Sequence, residues 1–192
     1  KVIAPTGPFV AVSSYSLSEQ SVPQPGSTVY MNVALTNYGV AAASNVTTTL
    51  SSSYPGVVIP QNSVSDNSIA ADATSTHNNA FTIVLPADAQ DGDEIPFVIT
   101  TTFGNLTTTK NFKIMVATPI FSIANVTLQN ANGAASFAPG DMVNVTVTYA
   151  NTGHSPLTNA VLHLTSHYSL VTVNTPAQNI SVLPAGTSAT AQ

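Results

Sequence analysis

The 192-residue sequence predicts an all-β protein built from two β-sandwiches in series. Short segments rich in Val, Ile, Thr and aromatic residues alternate apolar and polar positions, as strands with one buried face do. Turn-forming Pro, Gly, Asn and Ser residues separate these segments, and helical periodicity is absent. About seven such strands occur in about 110 residues, which is typical of a two-sheet domain, and the second half of the chain repeats the first.

The clearest strand of the first half runs from Thr28 to Leu35. Its buried face is predicted to be Val29, Met31, Val33 and Leu35. A second strand covers Asn45–Leu50, and its inner side is predicted to be Val46, Thr48 and Leu50. Because Pro-Gly pairs favour tight turns, Pro25-Gly26 is predicted to form the turn that leads into the first of these strands.

Two further strands, Ile95–Phe103 and Leu106–Val116, are separated only by Gly104-Asn105. A two-residue loop that contains glycine suits a backbone with positive φ. The two strands are therefore predicted to pair as an antiparallel hairpin. With them, the first domain is predicted to be complete and to span residues 1–117.

The second half repeats the first at a constant offset of 114 residues, beginning where Pro25-Gly26 recurs as Pro139-Gly140. The matched pairs along this register are Val29 and Val143, Val33 and Val147, Asn37 and Asn151, Gly39 and Gly153, Asn45 and Asn159, Leu50 and Leu164, Tyr54 and Tyr168, and Ile69 and Leu183. Upstream, Pro8–Val12 matches Pro119–Ile123 at an offset of 111. A repeat of several strands predicts tandem domains joined by a short linker at Ala117-Thr118-Pro119.

The second domain, residues 118–192, is predicted to be a truncated repeat. Residues 77–116 of the first repeat would have most of their counterparts beyond residue 192, which removes about three strands. Beside the open sheet edge, two apolar faces are expected to be partly uncovered: Val143, Val145 and Val147, and Ala160, Leu162 and Leu164. Either the sequence is a segment of a longer chain, or strands of another subunit complete the domain, as in donor-strand assemblies.

The composition excludes several kinds of partner and site. Only 6% of the residues are charged, with a net charge of −5, whereas an ordinary domain carries about a quarter charged residues. Three Lys and Arg residues cannot neutralise a run of phosphates, so neither nucleic acid nor an anionic membrane surface is an expected partner. The short apolar runs predict no membrane insertion. Without cysteine, the sequence offers no disulfide, thiolate metal site or cysteine nucleophile.

The repeated motifs resemble a known kind of domain. They are Pro25-Gly26-Ser27-Thr28-Val29, Asn37-Tyr38-Gly39, Ser44–Ser52 and Ala87–Gly92, with Pro139-Gly140-Asp141 and Asn151–Ser155 in the second repeat. The series resembles the immunoglobulin-like domains that follow the peptidase unit in gingipain-like proteins and other cargo of the type IX secretion route of Bacteroidota. This resemblance implies two tandem Ig-like sandwiches of the fibronectin or CARDB type. It also implies a secreted or cell-surface, non-catalytic accessory module, because the His-Cys pair of the peptidases has no counterpart here.

One loop concentrates half of the acidic residues, which are Asp88, Asp91, Asp93 and Glu94. Oxygen-rich loops attract Ca²⁺, so calcium is a candidate cofactor for these four residues. The spacing does not fit a twelve-residue EF-hand loop, because position 12 counted from Asp88 is Ile99. A turn at Asp91-Gly92 with solvated carboxylates is the alternative interpretation.

Histidine and serine patterns do not predict catalysis or a metal site. His163 and His167 have the spacing of helical metal ligands, but on a strand four positions separate them by ~13 Å. Serines are abundant, yet no Gly-x-Ser-x-Gly elbow is present. The acids cluster in one turn instead of facing each other across a cleft, as a glycosidase requires. The segment is therefore predicted not to be an enzyme and to have no catalytic residues.

Two kinds of surface feature remain open. Asn-x-Ser/Thr triplets make five asparagines candidate glycosylation sites, namely Asn45, Asn105, Asn125, Asn144 and Asn179. Aromatic rings are the second feature, because an exposed ring can stack on a sugar. Tyr30 is predicted to point outward, whereas Tyr54 and Tyr168 recur at equivalent turns, which favours a structural role. Carbohydrate is therefore kept as a candidate partner.

Together these observations predict a spacer or interaction module of a secreted or cell-surface multidomain protein, in which a peptidase is one candidate neighbour. Its expected partners are neighbouring domains of the same chain or another subunit. The alternative is a subunit of an extracellular filament or an adhesin, whose second domain is completed by strands of a neighbouring subunit.

Overall fold

A computed structural model describes residues 6–19, 22–133 and 136–192, and within these ranges the chain is all-β. This confirms the predicted fold class. The strands are β1 Val10–Leu17, β2 Thr28–Asn37, β3 Ala43–Ser51, β4 Val58–Gln61, β5 Ser63–Ile69, β6 Thr74–Val84, β7 Glu94–Phe103, β8 Leu106–Met115, β9 Phe121–Asn130, β10 Val143–Asn151, β11 Leu157–His163, β12 Ala177–Leu183 and β13 Thr187–Ala191. No helix able to cross a membrane occurs among the described residues.

The chain divides into two compact units, Lys1–Ala117 and Thr118–Gln192, here called unit 1 and unit 2. Unit 1 contains two four-stranded sheets with the strand orders β1-β2-β6-β4 and β5-β3-β7-β8. All of their pairings are antiparallel. From β2 to β7, consecutive strands alternate between the two sheets, whereas β1 pairs with β2 and β7 pairs with β8 within one sheet, as in a β-sandwich.

The core of unit 1 follows the period of two in its strands. The four residues predicted for the inner face of β2 are all buried, and so are the three predicted for β3. They join one cluster with inner residues of β6 and β7, of which Phe81, Ile83, Ile95, Phe97 and Ile99 are buried. Thr48 is the one polar residue on the inner face of β3, and its hydroxyl lies 3.0 Å from that of Thr101 on β7. Burial of both hydroxyls is tolerated because each has the other as a hydrogen-bond partner.

The predicted hairpin is confirmed. β7 and β8 pair along their whole length, from Glu94 opposite Met115 to Phe103 opposite Leu106. Gly104 has a φ of 56°, the region that L side chains adopt only with strain. Glycine at the first position of a two-residue turn is the pattern of a type II′ hairpin.

Both predicted Pro-Gly turns are also present. The N–H of Ser27 bonds to the carbonyl of Gln24 at 3.0 Å, and that of Asp141 bonds to the carbonyl of Ala138 at 3.1 Å. The intervening glycines, Gly26 and Gly140, both have positive φ. Each pair therefore forms a tight turn of the Pro-Gly kind before its strand.

Unit 2 repeats the register of unit 1 strand by strand. β10 pairs with β9 and β13 as β2 pairs with β1 and β6, and β11 pairs with β12 as β3 pairs with β5. The offset of 114 holds residue by residue, since Val147 lies opposite Ala191 where Val33 lies opposite His77. No described strand of unit 2 takes the place of β7 or β8.

The inner face predicted for β10 is only partly a core. Val145 and Val147 are half-buried, and Val143 is 40% exposed although its counterpart Val29 is fully buried. The expectation that this face is partly uncovered agrees with the structure. The small core that unit 2 does form consists of Tyr149, Ile180, Leu183 and Ala191.

Each unit contains one buried asparagine that hydrogen-bonds to backbone groups of neighbouring segments. These asparagines are Asn37 at the end of β2 and Asn151 at the end of β10. The amide group of Asn37 donates to the carbonyls of Ala41 and Ile69, at 2.8 and 3.0 Å. Its Oδ1 accepts from the N–H groups of Phe9 and Gly39, both at 3.0 Å. This side chain, 0% exposed, thus bonds to four backbone groups, and two of these bonds, to Ile69 and Gly39, are fully buried.

Asn151 makes the same four bonds in unit 2. It donates to the carbonyls of Ser155 and Leu183 and accepts from the N–H groups of Ile120 and Gly153, all between 2.8 and 3.1 Å. A Cβ on Gly153 would overlap the carbonyl oxygen of Thr118, as one on Gly39 would overlap that of Gly7. The Asn-x-Gly motif is therefore a structural motif. The asparagine side chain makes the hydrogen bonds to the backbone, and only glycine leaves room for the neighbouring carbonyl oxygen.

Hydrogen bonds hold the chain on both sides of the boundary between the units. In unit 1 the N–H of Val116 bonds to the carbonyl of Asp93, and that of Ala117 bonds to the carbonyl of Pro23, both at 2.8 Å. In unit 2 the carbonyl of Thr118 accepts from the N–H groups of His154 and Ser155, at 3.0 and 3.3 Å. The last residue of one unit and the first residue of the next are each bonded within their own unit.

Candidate functional site

The four acidic residues proposed for calcium are not gathered around one point. Asp93 turns back, and its Oδ2 accepts from the N–H of Gln90 at 2.8 Å and from the hydroxyl of Tyr54 at 3.1 Å. Glu94 instead accepts a hydrogen bond from the ammonium group of Lys113 at 2.6 Å. Among the described residues no group of three or more acidic or histidine side chains could hold a metal ion. Asp93 and Glu94 are hydrogen-bonded within unit 1, which differs from the simply solvated carboxylates of the alternative interpretation, and calcium binding stays a prediction.

The bond between Tyr54 and Asp93 also affects titration. This hydrogen bond, then burial and the negative charges of Asp93 and Asp88, raise the pKa of the Tyr54 phenol above its ordinary value. A phenol that donates to a carboxylate loses that bond when it ionises, so the neutral form is the one the fold favours. Tyr54 is therefore a structural residue, as its recurrence at an equivalent turn predicts.

A polar cluster that sequence reasoning missed lies between the two sheets of unit 1. Its members are Asp66 on β5 and Ser75 and His77 on β6. The Ser75 hydroxyl donates to Oδ1 of Asp66 at 2.6 Å, and His77 Nε2 lies 2.9 Å from Oδ2 of the same carboxylate. The side chains of His77 and Asp66 are 22% and 15% exposed. Because β5 is an edge strand of one sheet and β6 belongs to the other, these hydrogen bonds link the two sheets.

The repeat register contains the signal that could have revealed this cluster. At an offset of 114, Asp66, Ser75 and His77 correspond to Ile180, Ala189 and Ala191. In unit 2 these three residues belong to the small apolar core. Three polar residues that are all replaced by apolar ones in the second repeat indicate a polar contact inside the first.

The cluster is not arranged for nucleophilic catalysis. In a Ser-His-Asp triad the imidazole uses one ring nitrogen for the serine and the other for the carboxylate. Here Ser75 Oγ lies 3.4 Å from His77 Nε2, the nitrogen already bonded to Asp66, and the hydroxyl donates to the carboxylate itself. With the serine proton directed to Asp66, the histidine is not positioned to remove it. The geometry of these three side chains therefore favours a structural role over a catalytic one.

The remaining candidate histidines, and the tyrosines Tyr30 and Tyr168, are exposed. β11 ends at His163, and His167 lies in the loop that follows, with both side chains exposed. Tyr30 points outward from β2, as predicted. Tyr168, in contrast, is 78% exposed, so it lacks the packing that its counterpart Tyr54 has. The structural role predicted for Tyr168 is therefore not seen in unit 2.

A shallow apolar groove lies between β1 and β8 in unit 1. Tyr15, Leu17, Met31 and Phe112 line it, and it holds about 200 Å³. Its aromatic wall is formed by Tyr15 and Phe112, whose ring centroids lie 4.8 Å apart. Ligand pockets usually hold about 300–1,000 Å³, so the groove is small even for one sugar ring.

All five candidate glycosylation asparagines have exposed side chains. Asn105 lies in the turn of the β7–β8 hairpin, whereas the other four, Asn45, Asn125, Asn144 and Asn179, lie within strands. A glycan at Asn105 would meet the least steric resistance, because a hairpin tip projects into solvent. Glycosylation at any of the five stays a prediction.

The uncovered side of unit 2 exposes several apolar residues. Exposed apolar residues there come from β9 and from the segment that follows β11. They are Phe121, Ile123, Val126, Leu128, Leu164, Tyr168, Leu170 and Val171. A contiguous apolar surface of this kind marks an interaction site in folded proteins.

Comparison with known proteins does not assign the chain to a family. No family model matches it, and no curated protein matches it. Among solved structures, it is similar to the secreted serine protease VesC from Vibrio cholerae, with 12% identity and a TM-score of 0.39. The match covers 97% of this chain and 43% of that chain, so this chain spans less than half of the protease. The resemblance to Ig-like domains of gingipain-like proteins stays a prediction.

Proposed function

We propose that this chain is a non-catalytic spacer and interaction module of a secreted or cell-surface multidomain protein. The observation that carries the proposal is the bonded boundary between the units. Ala117 is hydrogen-bonded within unit 1 and Thr118 within unit 2, so the boundary contains no residue without a hydrogen bond to its own unit. A linker without free residues suits a module that keeps its neighbours at a set distance.

Two further observations support this role. The outer face of the sheet that contains β3, β7 and β8 is lined with threonine, and unit 1 has only one described ion pair between Lys and an acidic residue. Uncharged hydroxyl surfaces interact weakly with charged partners, which suits a passive spacer. The resemblance to Ig-like accessory domains supports the secreted location and makes a peptidase the first candidate neighbour.

Loosening the boundary tests the proposal. Because the chain has no cysteine, single cysteines for spin labels can replace exposed Thr109 in unit 1 and Asn179 in unit 2. We expect one narrow distance distribution in the unaltered chain and a broad one after Gly-Ser-Gly-Ser is inserted between Ala117 and Thr118. The same insertion at Gly104-Asn105 is the control and should leave the distribution narrow. An equally broad distribution without any insertion contradicts a spacer role.

A filament or adhesin subunit is the second candidate function, favoured by the uncovered apolar side of unit 2. In that case the side would be covered by strands of a neighbouring subunit. Negative-stain electron microscopy and light scattering over a range of concentrations test it. Polymers or concentration-dependent mass support this function, and monomers at every concentration contradict it.

A further inference from the structure

Two of the three Lys and Arg residues of the chain lie on one strand of unit 1. Lys110 and Lys113 are both on β8, although only 6% of the residues are charged. β8 is the last strand in the order β5-β3-β7-β8, so in the described part of the chain no strand is bonded to its outer side. Such an edge presents unpaired backbone N–H and carbonyl groups, to which another strand can bind.

The two lysines point to opposite sides of their sheet. Lys110 lies opposite Ile99 of β7, and Lys113 lies opposite Pro96. Residues directly opposite each other in a β pair point to the same face, and Ile99 is a buried core residue. Lys110 therefore points to the inner side of the sandwich, and Lys113 points to the outer side. Lys110 is nevertheless exposed, because its long side chain reaches water past the edge of the strand.

The lysines also differ in their contacts. The ammonium group of Lys113 donates to Glu94 at 2.6 Å, whereas within the described ranges no carboxylate pairs with Lys110. The neighbours of Lys110 on the same face, Thr108 and Phe112, both contact β1 in the opposite sheet. An ammonium group without a carboxylate partner thus lies between two contacts that join the sheets.

The other three sheet edges of unit 1 each carry a feature that discourages strand addition. β1 has a register shift, the mark of a β-bulge, and β4 is a four-residue strand that contains Pro60. β5 carries Asp66, which lies opposite the buried Val46 and therefore points inward. β8 has no proline and pairs with β7 without a register shift, so the inward charge of Lys110 is its equivalent feature.

Apart from Lys110, the inner face of β8 is complementary to itself. In an antiparallel pair of two β8 strands about a two-fold axis at residue 110, Leu106 would lie opposite Ile114 and Thr108 opposite Phe112. Such apolar and aromatic pairs stabilise a sheet, whereas like charges directly opposite each other destabilise it. This register places Lys110 opposite the same residue of the second copy. In a different register, the added strand would still close the side on which Lys110 reaches water.

We propose that the outer edge of β8 is a latent self-association surface, and that Lys110 prevents β8 from pairing with β8 of a second copy. The inference goes beyond the proposed function, because it concerns contacts between copies instead of the boundary between the units. A filament of the second candidate function would accordingly not be joined through β8.

The substitution Lys110→Thr in the full chain tests the inference. We expect the mass from sedimentation to rise about twofold with concentration, towards that of a dimer. Hydrogen exchange of the β8 amides that point away from β7 should slow by about tenfold or more over the same range, since a paired edge strand is protected.

Lys113→Thr is the matched control, because it removes the same charge from an exposed position on the outer face of the same strand. It should leave the mass and the β8 exchange as in the unaltered chain. Lys110→Glu keeps an inward charge and should also give no association through β8. Exchange at β2, in the other sheet, reports whether each variant is folded, and Lys110→Val replaces Lys110→Thr if the threonine variant is not.

Three outcomes overturn the inference. One is a folded Lys110→Thr or Lys110→Val variant without concentration-dependent protection of β8, and another is equal association of the Lys113→Thr variant. The third is protection of β8 that rises with concentration in the unaltered chain. Association of the unaltered chain with unchanged exchange at β8 supports the second candidate function and agrees with the inference, so the two can fail separately.

Discussion

At the scale of single residues, the two units share one buried asparagine. Asn37 and Asn151 make the same four bonds to backbone groups, and each is 0% exposed. A shorter side chain in either place would leave buried N–H and carbonyl groups without partners, which costs more than the bonds themselves contribute. The asparagine is therefore a determinant of folding in both repeats.

The substitution Asn37→Ala should lower the free energy of unfolding of unit 1 by about 2–4 kcal/mol, because four backbone groups lose their partner and two of them are in buried bonds. Urea unfolding followed by tyrosine fluorescence measures the change. Asn111→Ala on the exposed side of β8 is the matched control, expected within about 0.5 kcal/mol of the unaltered chain. Equal, small effects of both substitutions would show that solvent replaces the bonds of Asn37.

The polar cluster of Asp66, Ser75 and His77 distinguishes unit 1 from unit 2. The apolar residues at the same register positions of unit 2 define substitutions that test its role. The triple substitution Asp66→Ile, Ser75→Ala and His77→Ala introduces the residues found at Ile180, Ala189 and Ala191. We expect unit 1 to keep its stability or gain about 1 kcal/mol or more, since well-packed apolar residues often replace a buried polar group without loss.

The single substitution Asp66→Ile is the control for that prediction. It leaves Ser75 and His77 without the carboxylate that both contact, so we expect a loss of about 1–3 kcal/mol. Urea unfolding of both variants gives the comparison. A triple variant that is less stable than the single variant would contradict a purely structural role for the cluster.

At the scale of elements, the β7–β8 hairpin, like β4, has no counterpart among the described strands of unit 2. Its turn depends on the positive φ of Gly104, and its inner residues connect β3 to the core. The hairpin contributes both a strand pairing and several of the largest buried side chains. Its turn is therefore a sensitive point for the stability of unit 1.

Gly104→Val should destabilise unit 1 by about 1–3 kcal/mol, because a β-branched side chain is strained at this φ. The melting temperature from circular dichroism is the measurement. Asn105→Gly, at the neighbouring position, removes a side chain without imposing strain and should change the stability by less than about 1 kcal/mol. A valine variant that melts like the glycine variant would mean that the turn readily adopts another conformation.

At the scale of the whole molecule, the two units share a register but not a core. Unit 1 packs residues from both of its sheets into one extensive cluster, whereas the described core of unit 2 has four buried residues. Because burial of apolar surface is the main favourable term in folding, the same strand pattern yields two units of unequal stability.

Unit 2 should therefore unfold at a lower urea concentration than unit 1. Hydrogen exchange read separately for the two units across a urea series measures the order of unfolding. Leu50→Ala and Leu164→Ala form a matched pair at one register position. We expect a loss of about 2–4 kcal/mol in unit 1 and under about 1 kcal/mol in unit 2, given their exposures of 2% and 37%. Simultaneous unfolding, or equal losses, would contradict this order.

The sequence by itself determined the strands, the inner faces of β2 and β3, the turns at Pro25-Gly26 and Gly104-Asn105, and the internal repeat. These features depend on alternation and on turn chemistry, which are local. Only the tertiary structure decided which polar residues meet, because Asp66 lies on a different sheet from Ser75 and His77. It also decided the burial of Val143, Val145 and Val147, since a strand's inner face is a core only where an opposing strand covers it.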